Sequence, residues 1–92
     1  MSKKVKIIAT IGPASRDYNT LKNLSKSGVS IIRINTKYGS EEEYLKDIKN
    51  IRKIKSLEIM FDIKSLKLIP FIKKLNFEYL AVSFAEDRKS VV

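Results

Sequence analysis

Six side chains able to meet a small charged ligand each follow an apolar run in this chain. Thr10 follows "VKIIA", Arg33, Asn35 and Lys37 follow "VSII", Asp62 follows "LEIMF", and Ser83 follows "FEYLAV". A guanidinium suits bidentate recognition of phosphate. A carboxylate and an amide oxygen suit a cation, or they hold a guanidinium in place. Polar residues after apolar strands are expected in any fold, so each one taken singly is also read as a solvated loop residue. Their recurrence at the same point of successive segments points to one rim where a ligand binds.

The chemistry open to that rim is narrow. The 92 residues contain no histidine and no cysteine. Disulfides, thiolate zinc sites, Ser-His-Asp and Cys-His triads and imidazole acid–base catalysis are therefore excluded. A chain this short is at most one small domain. The net charge of +9, from 19 basic and 10 acidic residues, favours anionic partners. The lysines are spread beside acidic residues in helical stretches, with no basic block and no aromatic stacking platform, which disfavours nucleic acid. The apolar run in "MSKKVKIIATIGPAS" is too short for a signal peptide or a membrane helix. A soluble, cytoplasmic protein without membrane contact is expected.

The elements that must position these residues alternate. "VKIIATI" (5–11) reads as a strand buried on both faces. Asp17 or Asn19 caps a helix that runs to Ser27, where Gly28 provides the left-handed stop. "VSIIRI" (29–34) is a second strand. Ser40 and Glu43 form a capping box for a helix to about Lys55, with a stripe of Tyr44, Leu45, Ile48, Ile51 and Ile54 facing inward. "LEIMFD" (57–62) is a third strand, a short helix lies near Pro70–Leu75, and "FEYLAVSF" (77–84) is a fourth strand. "AEDRKSVV" resembles the opening of one more helix. This β-α order predicts an α/β fold with a parallel sheet, right-handed crossovers, and ligands at the C-terminal ends of the strands.

"KIIATIGPASRDYNTLKNLSKSGVSIIRIN" resembles the N-terminal part of the pyruvate kinase barrel. The family pattern is a strand ending in T-I-G-P-A-S, a helix ending in glycine, and a strand ending in R-[IL]-N-x-S-x-G. "IMFDIKS" is similar to the family's L-L-D-T-K-G-P, and "FEYLAVSFAEDRKSVV" to its later strand ending in S-F-V-R. The resemblance implies a partial (half) (β/α)8 barrel in one domain (1–92). Only "IKSLKLIPFIKKLN" stands where the family carries its lid domain. The lysine of the family's K-I-E motif and the carboxylates that hold its divalent metal have no counterparts in these residues, so the match supplies no catalytic residue and no magnesium ligand.

Carried over residue by residue, the resemblance places Arg33 where the family contacts the transferred phosphate. Asn35 and Asp62 fall on oxygen donors to a potassium ion, and Ile63 on a backbone-carbonyl donor to it. Lys37 replaces a serine ligand. Its ammonium either stands in for potassium beside Asp62 and Asn35 or points to solvent. Lys64 matches a family lysine, while Thr10 and Ser83 are rim hydrogen-bonding groups. The family reaction is the glycolytic transfer from phosphoenolpyruvate to ADP, giving pyruvate and ATP, so phosphoenolpyruvate and nucleotide are the implied ligands. A chain with these parts is expected to be inactive alone. The alternative is a non-catalytic binder of phosphorylated metabolites or an interaction module derived from such an enzyme. Half a barrel leaves two sheet edges and an apolar inner face open, so a homo-oligomer or a separate second half-barrel is expected.

Overall fold

The computed structural model describes residues 5–12, 16–37 and 39–83. Within them the chain runs β1 (Ile8–Ile11), α1 (Tyr18–Lys26), β2 (Ile31–Asn35), α2 (Glu41–Arg52), β3 (Glu58–Ile63), a 3-10 turn (Leu66–Leu68), α3 (Ile69–Ile72) and β4 (Tyr79–Val82). The strands form one sheet in the order β1-β2-β3-β4, and every neighbouring pair is parallel. This is the α/β arrangement the alternation predicts. The helix expected from "AEDRKSVV" and the end of the fourth expected strand, Phe84, lie outside the described residues.

Local chemistry sets the helix ends. Of the two candidate caps for α1, Asp17 is the one used: its carboxylate accepts from the Thr20 backbone N–H at 3.2 Å and from the Thr20 hydroxyl at 2.7 Å. Gly28 follows the helix at φ 105°, a conformation that only glycine adopts without strain. Ser40 and Glu43 make the full capping box of α2, and Glu41, Glu42 and Glu43 occupy its positive end. α2 stops at Arg52 rather than near Lys55; the Lys53 N–H donates to the Asn50 carbonyl at 3.2 Å and the Ile54 N–H to that of Ile51 at 3.0 Å. The short helix begins earlier than Pro70, because Ser65 first caps a 3-10 turn that runs directly into α3.

The core lies between the sheet and the helices. Ile11, Ile32, Ile34, Ile59, Phe61 and Ile63 face Leu21, Tyr44, Ile51 and Ile72 across it. Tyr44 and Phe77 each meet the Phe61 ring edge-on. Complete burial of an aliphatic or aromatic side chain of this size contributes about 1.5–3 kcal/mol. The predicted inward stripe of α2 holds at Tyr44 and Ile51, with Ile48 and Ile54 partly buried, but Leu45 faces outward and is exposed. Asp47 takes a place on the stripe instead, at 1% exposure.

Two expectations are corrected. β1 is not buried on both faces: Val5, Ile7 and Ile8 are exposed, because this strand ends the sheet. Nor is the open inner face apolar. Side chains alternate along a strand, and the residues that face away from the helices include Lys6, Thr10, Arg33, Asn35, Glu58, Asp62, Tyr79 and Ser83. Most of them fall into two bonded groups, Lys6 with Glu58 and Tyr79, and Thr10 with Arg33, Asp62 and Ser83. Lys6 donates to Glu58 at 3.2 Å and to the Tyr79 hydroxyl at 2.7 Å, and that hydroxyl donates to Glu58 at 3.0 Å. Ile8, Ile31, Met60 and Ala81 are apolar residues set among them. Lys6 precedes the first strand and Tyr79 begins the fourth, so this bridge requires a strongly curved sheet.

Candidate functional site

The C-terminal ends of the strands converge on Asp62. Its side chain is wholly buried. The Arg33 guanidinium from β2 donates to its Oδ2, the Ser83 hydroxyl after β4 donates to its Oδ1 at 3.0 Å, and the Lys64 ammonium stands 3.5 Å from Oδ2. Arg33 also reaches the Thr10 hydroxyl of β1 at 3.5 Å. All four strands thus contribute to one cluster. Thr10, Arg33, Asp62, Lys64 and Ser83, separated by up to 73 residues in sequence, come together. Burial alone raises the pKa of the Asp62 carboxyl, but the hydrogen bonds from Arg33 and Ser83 and the charges of Arg33 and Lys64 outweigh it. The carboxyl is held below the ordinary range and is ionised at neutral pH.

Asn35 and Lys37 lie at the margin. The Asn35 amide oxygen accepts the backbone N–H of Lys37 at 2.9 Å, an Asx turn that shapes the loop. Thr36 between them turns inward, and both its hydroxyl (3.0 Å) and its N–H (3.1 Å) bond the backbone carbonyl of Asp62. With Thr36 inward, Lys37 falls on the exposed side of the turn. This corrects the placing of the Lys37 ammonium on Asp62. Among the described residues, the cations at that carboxylate are Arg33 and Lys64.

The same geometry tests the potassium site. The Asn35 amide oxygen is used by Lys37 and both Asp62 carboxylate oxygens face donors. The Ile63 carbonyl accepts the Ser83 N–H at 2.9 Å. Two fixed positive charges already flank a single negative one, so an added cation meets net repulsion. The donor set does not fit potassium in this arrangement. Among the described residues no group of three or more acidic, histidine or cysteine side chains is placed to hold a metal. The rim sets one guanidinium and one ammonium beside one buried carboxylate, a local excess of positive charge.

A second cluster escaped the sequence reading. Arg16, ahead of α1, sets its Nε 3.0 Å from Oδ1 of the buried Asp47, donates to Oδ2 at 3.3 Å, and stands 3.7 Å from Glu43. Burial pushes the Asp47 carboxyl up, and Arg16 pulls it partly back. The pair ties the loop after β1 to α2. Beside it lies an open cleft of about 560 Å³ lined by Thr10, Ile11, Gly12, Arg16, Asn35, Gly39 and Glu43. A signal did exist: Asp47 stands three residues after Tyr44 and four before Ile51, on the buried stripe.

The pyruvate kinase barrel domain family matches residues 2–70, three quarters of the chain. The chain belongs to the pyruvate kinase family. Its relatives include the pyruvate kinase of Thermococcus litoralis, 42% identical over 72 residues that cover 73% of this chain and 15% of that protein. The pyruvate kinase of Geobacillus stearothermophilus is 34% identical over 97 aligned positions, covering 100% of this chain and 16% of its own length. A pyruvate kinase of Rattus norvegicus is 47% identical over 51 residues, 55% of this chain and 9% of that protein. The chain therefore spans about a sixth or less of these relatives. Its parallel sheet with alternating helices is a portion of the family barrel. The cluster on Asp62 is built on "TIGPAS", "RIN" and "FDIK", the segments that carry the resemblance, together with Ser83 beyond the matched stretch. No helix among the described residues is long and apolar enough to cross a membrane.

Proposed function

We propose that this chain is the phosphate-binding portion of a pyruvate kinase-type site. Arg33, assisted by Lys64, receives the phosphate of phosphoenolpyruvate, and nucleotide approaches along the cleft beside Asn35 and Gly12. The observation that carries this reading is the pair of cations held on one buried carboxylate. Asp62 fixes the guanidinium at the rim and cancels only part of the local positive charge, leaving an attraction for a phosphate dianion. Thr10 and Ser83 orient the pair from the two outer strands.

The family reaction carries a phosphoryl group from phosphoenolpyruvate to ADP in glycolysis, in the cytoplasm. Such transfer depends on positioning and on cations that neutralise charge on the moving group. Magnesium supplies much of that neutralisation in the family, yet no carboxylate set for it is found among the described residues. The resemblance supplies no counterpart here for the family's magnesium carboxylates, so on this reading the chain contributes phosphate binding and turnover draws on a complementary portion of the barrel. A second reading, a stand-alone phosphometabolite binder, is favoured by one observation: Arg33 and Lys64 already flank the carboxylate that the resemblance assigns to potassium.

Two measurements test this. Titration of phosphoenolpyruvate into the 15N-labelled chain should shift the Arg33 and Lys64 neighbourhoods with a Kd of ~1 mM, about 4 kcal/mol, and Arg33→Ala should abolish those shifts. A pyruvate assay with phosphoenolpyruvate, ADP, magnesium and potassium should show no turnover above background. Identical shifts in parent and Arg33→Ala would reduce Arg33 to a surface charge, and clear pyruvate formation would overturn the need for a complementary portion.

A further inference from the structure

The two ends of the sheet carry most of the exposed hydrophobic surface. Of seven large hydrophobic residues strongly exposed among the described residues, Val5, Ile7 and Ile8 lie in or just before β1, and Leu80 and Val82 lie in β4. These strands end the order β1-β2-β3-β4, so among the described residues each has one side bonded to no strand. An apolar strand with a free row of N–H and C=O groups is a template for pairing. The concave face between the ends is polar and largely paired with itself. Any drive to associate therefore lies at the edges.

The stagger of the strands says what fits there. By backbone register, Thr10 stands opposite Arg33, Arg33 opposite Met60, and Met60 opposite Tyr79. The side chains that meet at the rim are instead Thr10, Arg33, Asp62 and Ser83. Residues at one height thus advance along later strands, and Ser83 lies four positions beyond Tyr79. A closed eight-stranded (β/α)8 barrel slips by about eight residues in a full circuit. Four strands showing half that slip are curved and sheared for half a circuit.

We propose that two copies of this chain close on each other. β4 of one copy pairs in parallel with β1 of the second, and the two-fold axis repeats the junction, giving eight strands with no free edge. Continuing the stagger sets Ala81 opposite Ile8 of the other copy, both on the concave side. Ile8 gains a neighbour on the concave side, and Leu80 and Val82, which alternate to the opposite face, come beside Ile7 of the other copy in one apolar strip. Curvature separates this closure from a filament, since a flat sheet with complementary ends would add copies without limit. The proposal rests on the family fold and on the sheet geometry. It is independent of whether Arg33 binds phosphate.

The chain has no cysteine, which makes the test clean. Sedimentation equilibrium of the parent at micromolar concentration should give the mass of two chains. Mild oxidation of an Ile8→Cys chain mixed with an Ala81→Cys chain should yield a covalent heterodimer, whereas either variant oxidised alone should stay uncrosslinked. The doubly substituted chain should stop at two chains on a denaturing gel. A compact monomer of the parent, with freely exchanging β1 and β4 edge amides, would overturn the pairing and leave these edges to a different chain. A ladder of higher polymers would overturn the closure. None of these readouts involves a ligand, so they stand or fall apart from the phosphate titration.

Discussion

Replacing Asp62 by asparagine should make phosphate bind more tightly. In the parent, an anion arriving at Arg33 shares the guanidinium with a carboxylate already bonded to it. An anion on the outer side of a guanidinium sits roughly 6 Å from a carboxylate on its inner side, a repulsion of about 2.8 kcal/mol at an effective dielectric of about 20. Arg33 is about one-third exposed at its side chain, and salt screens over roughly 8 Å. We therefore halve that figure to about 1.4 kcal/mol, a tenfold gain in affinity. Asparagine keeps an oxygen for Arg33 and an oxygen or amide for Ser83, so the rim keeps its shape while losing the charge. The assay is a 15N titration with inorganic phosphate at fixed pH and ionic strength, with Arg33→Ala introduced into both backgrounds. A well-dispersed Asp62→Asn spectrum showing equal or weaker binding would refute the electrostatic account of the rim. It would mean that Asp62 serves the anion by positioning Arg33 and that its charge does not compete.

Three further outcomes are expected. Arg16→Ala leaves the buried Asp47 carboxylate without its partner and should destabilise the fold by about 2–3 kcal/mol in urea melts at pH 7. Because burial raises the Asp47 pKa above its unfolded value, its contribution is fully present below the unfolded pKa and lost as pH rises through the folded one. The deficit of the variant should accordingly shrink as the pH is lowered from 7 toward 4, and a constant deficit would point to lost packing alone. Ser40→Ala removes one half of the α2 capping box and should cost about 1 kcal/mol in the same melts. Finally, the melting temperature should be the same in potassium chloride and in the chloride of a large organic cation at equal ionic strength, since Arg33 and Lys64 already flank Asp62; a rise specific to potassium would show that the ion displaces one of them.

The features written in local chemistry were legible in the sequence. The Ser40–Glu43 box, the stop at Gly28 and the four strands depend on neighbours a few residues apart, and such patterns survive in any context. The gathering of Thr10, Arg33, Asp62 and Ser83 followed from parallel alternation, which sends every strand end to one rim. What failed was directional. The resemblance sets Lys37 at the potassium position beside Asp62 or leaves it to solvent, and the outcome turns on Thr36, which takes the inward place in the turn while Lys37 follows on the exposed side. The apolar runs also hid which side of each strand would be covered. "VKIIATI" has the composition of a central strand, and only the sheet order shows that it stands at an end.

Arg16 and Asp47 teach the complementary point. A carboxylate on the apolar stripe of a helix reads as an interruption, so the sequence reading passed over it in favour of Leu45. Burying it is tolerable only because an arginine from a preceding loop comes within bonding distance, a tertiary event that no window of α2 contains. Its consequence reaches the site. The loop carrying Arg16 follows "TIGP", and Arg16 shares the cleft wall with Thr10, Gly12 and Asn35. A buried charge pair therefore holds one wall of the cleft against the helix that forms another. If that is what positions the wall, Arg16→Lys, which keeps the charge but loses the planar fork, should preserve most of the stability lost in Arg16→Ala. It should still broaden the amide signals of Gly12 and Gly39. Unchanged line widths at those glycines would show that the pair stabilises α2 without shaping the cleft.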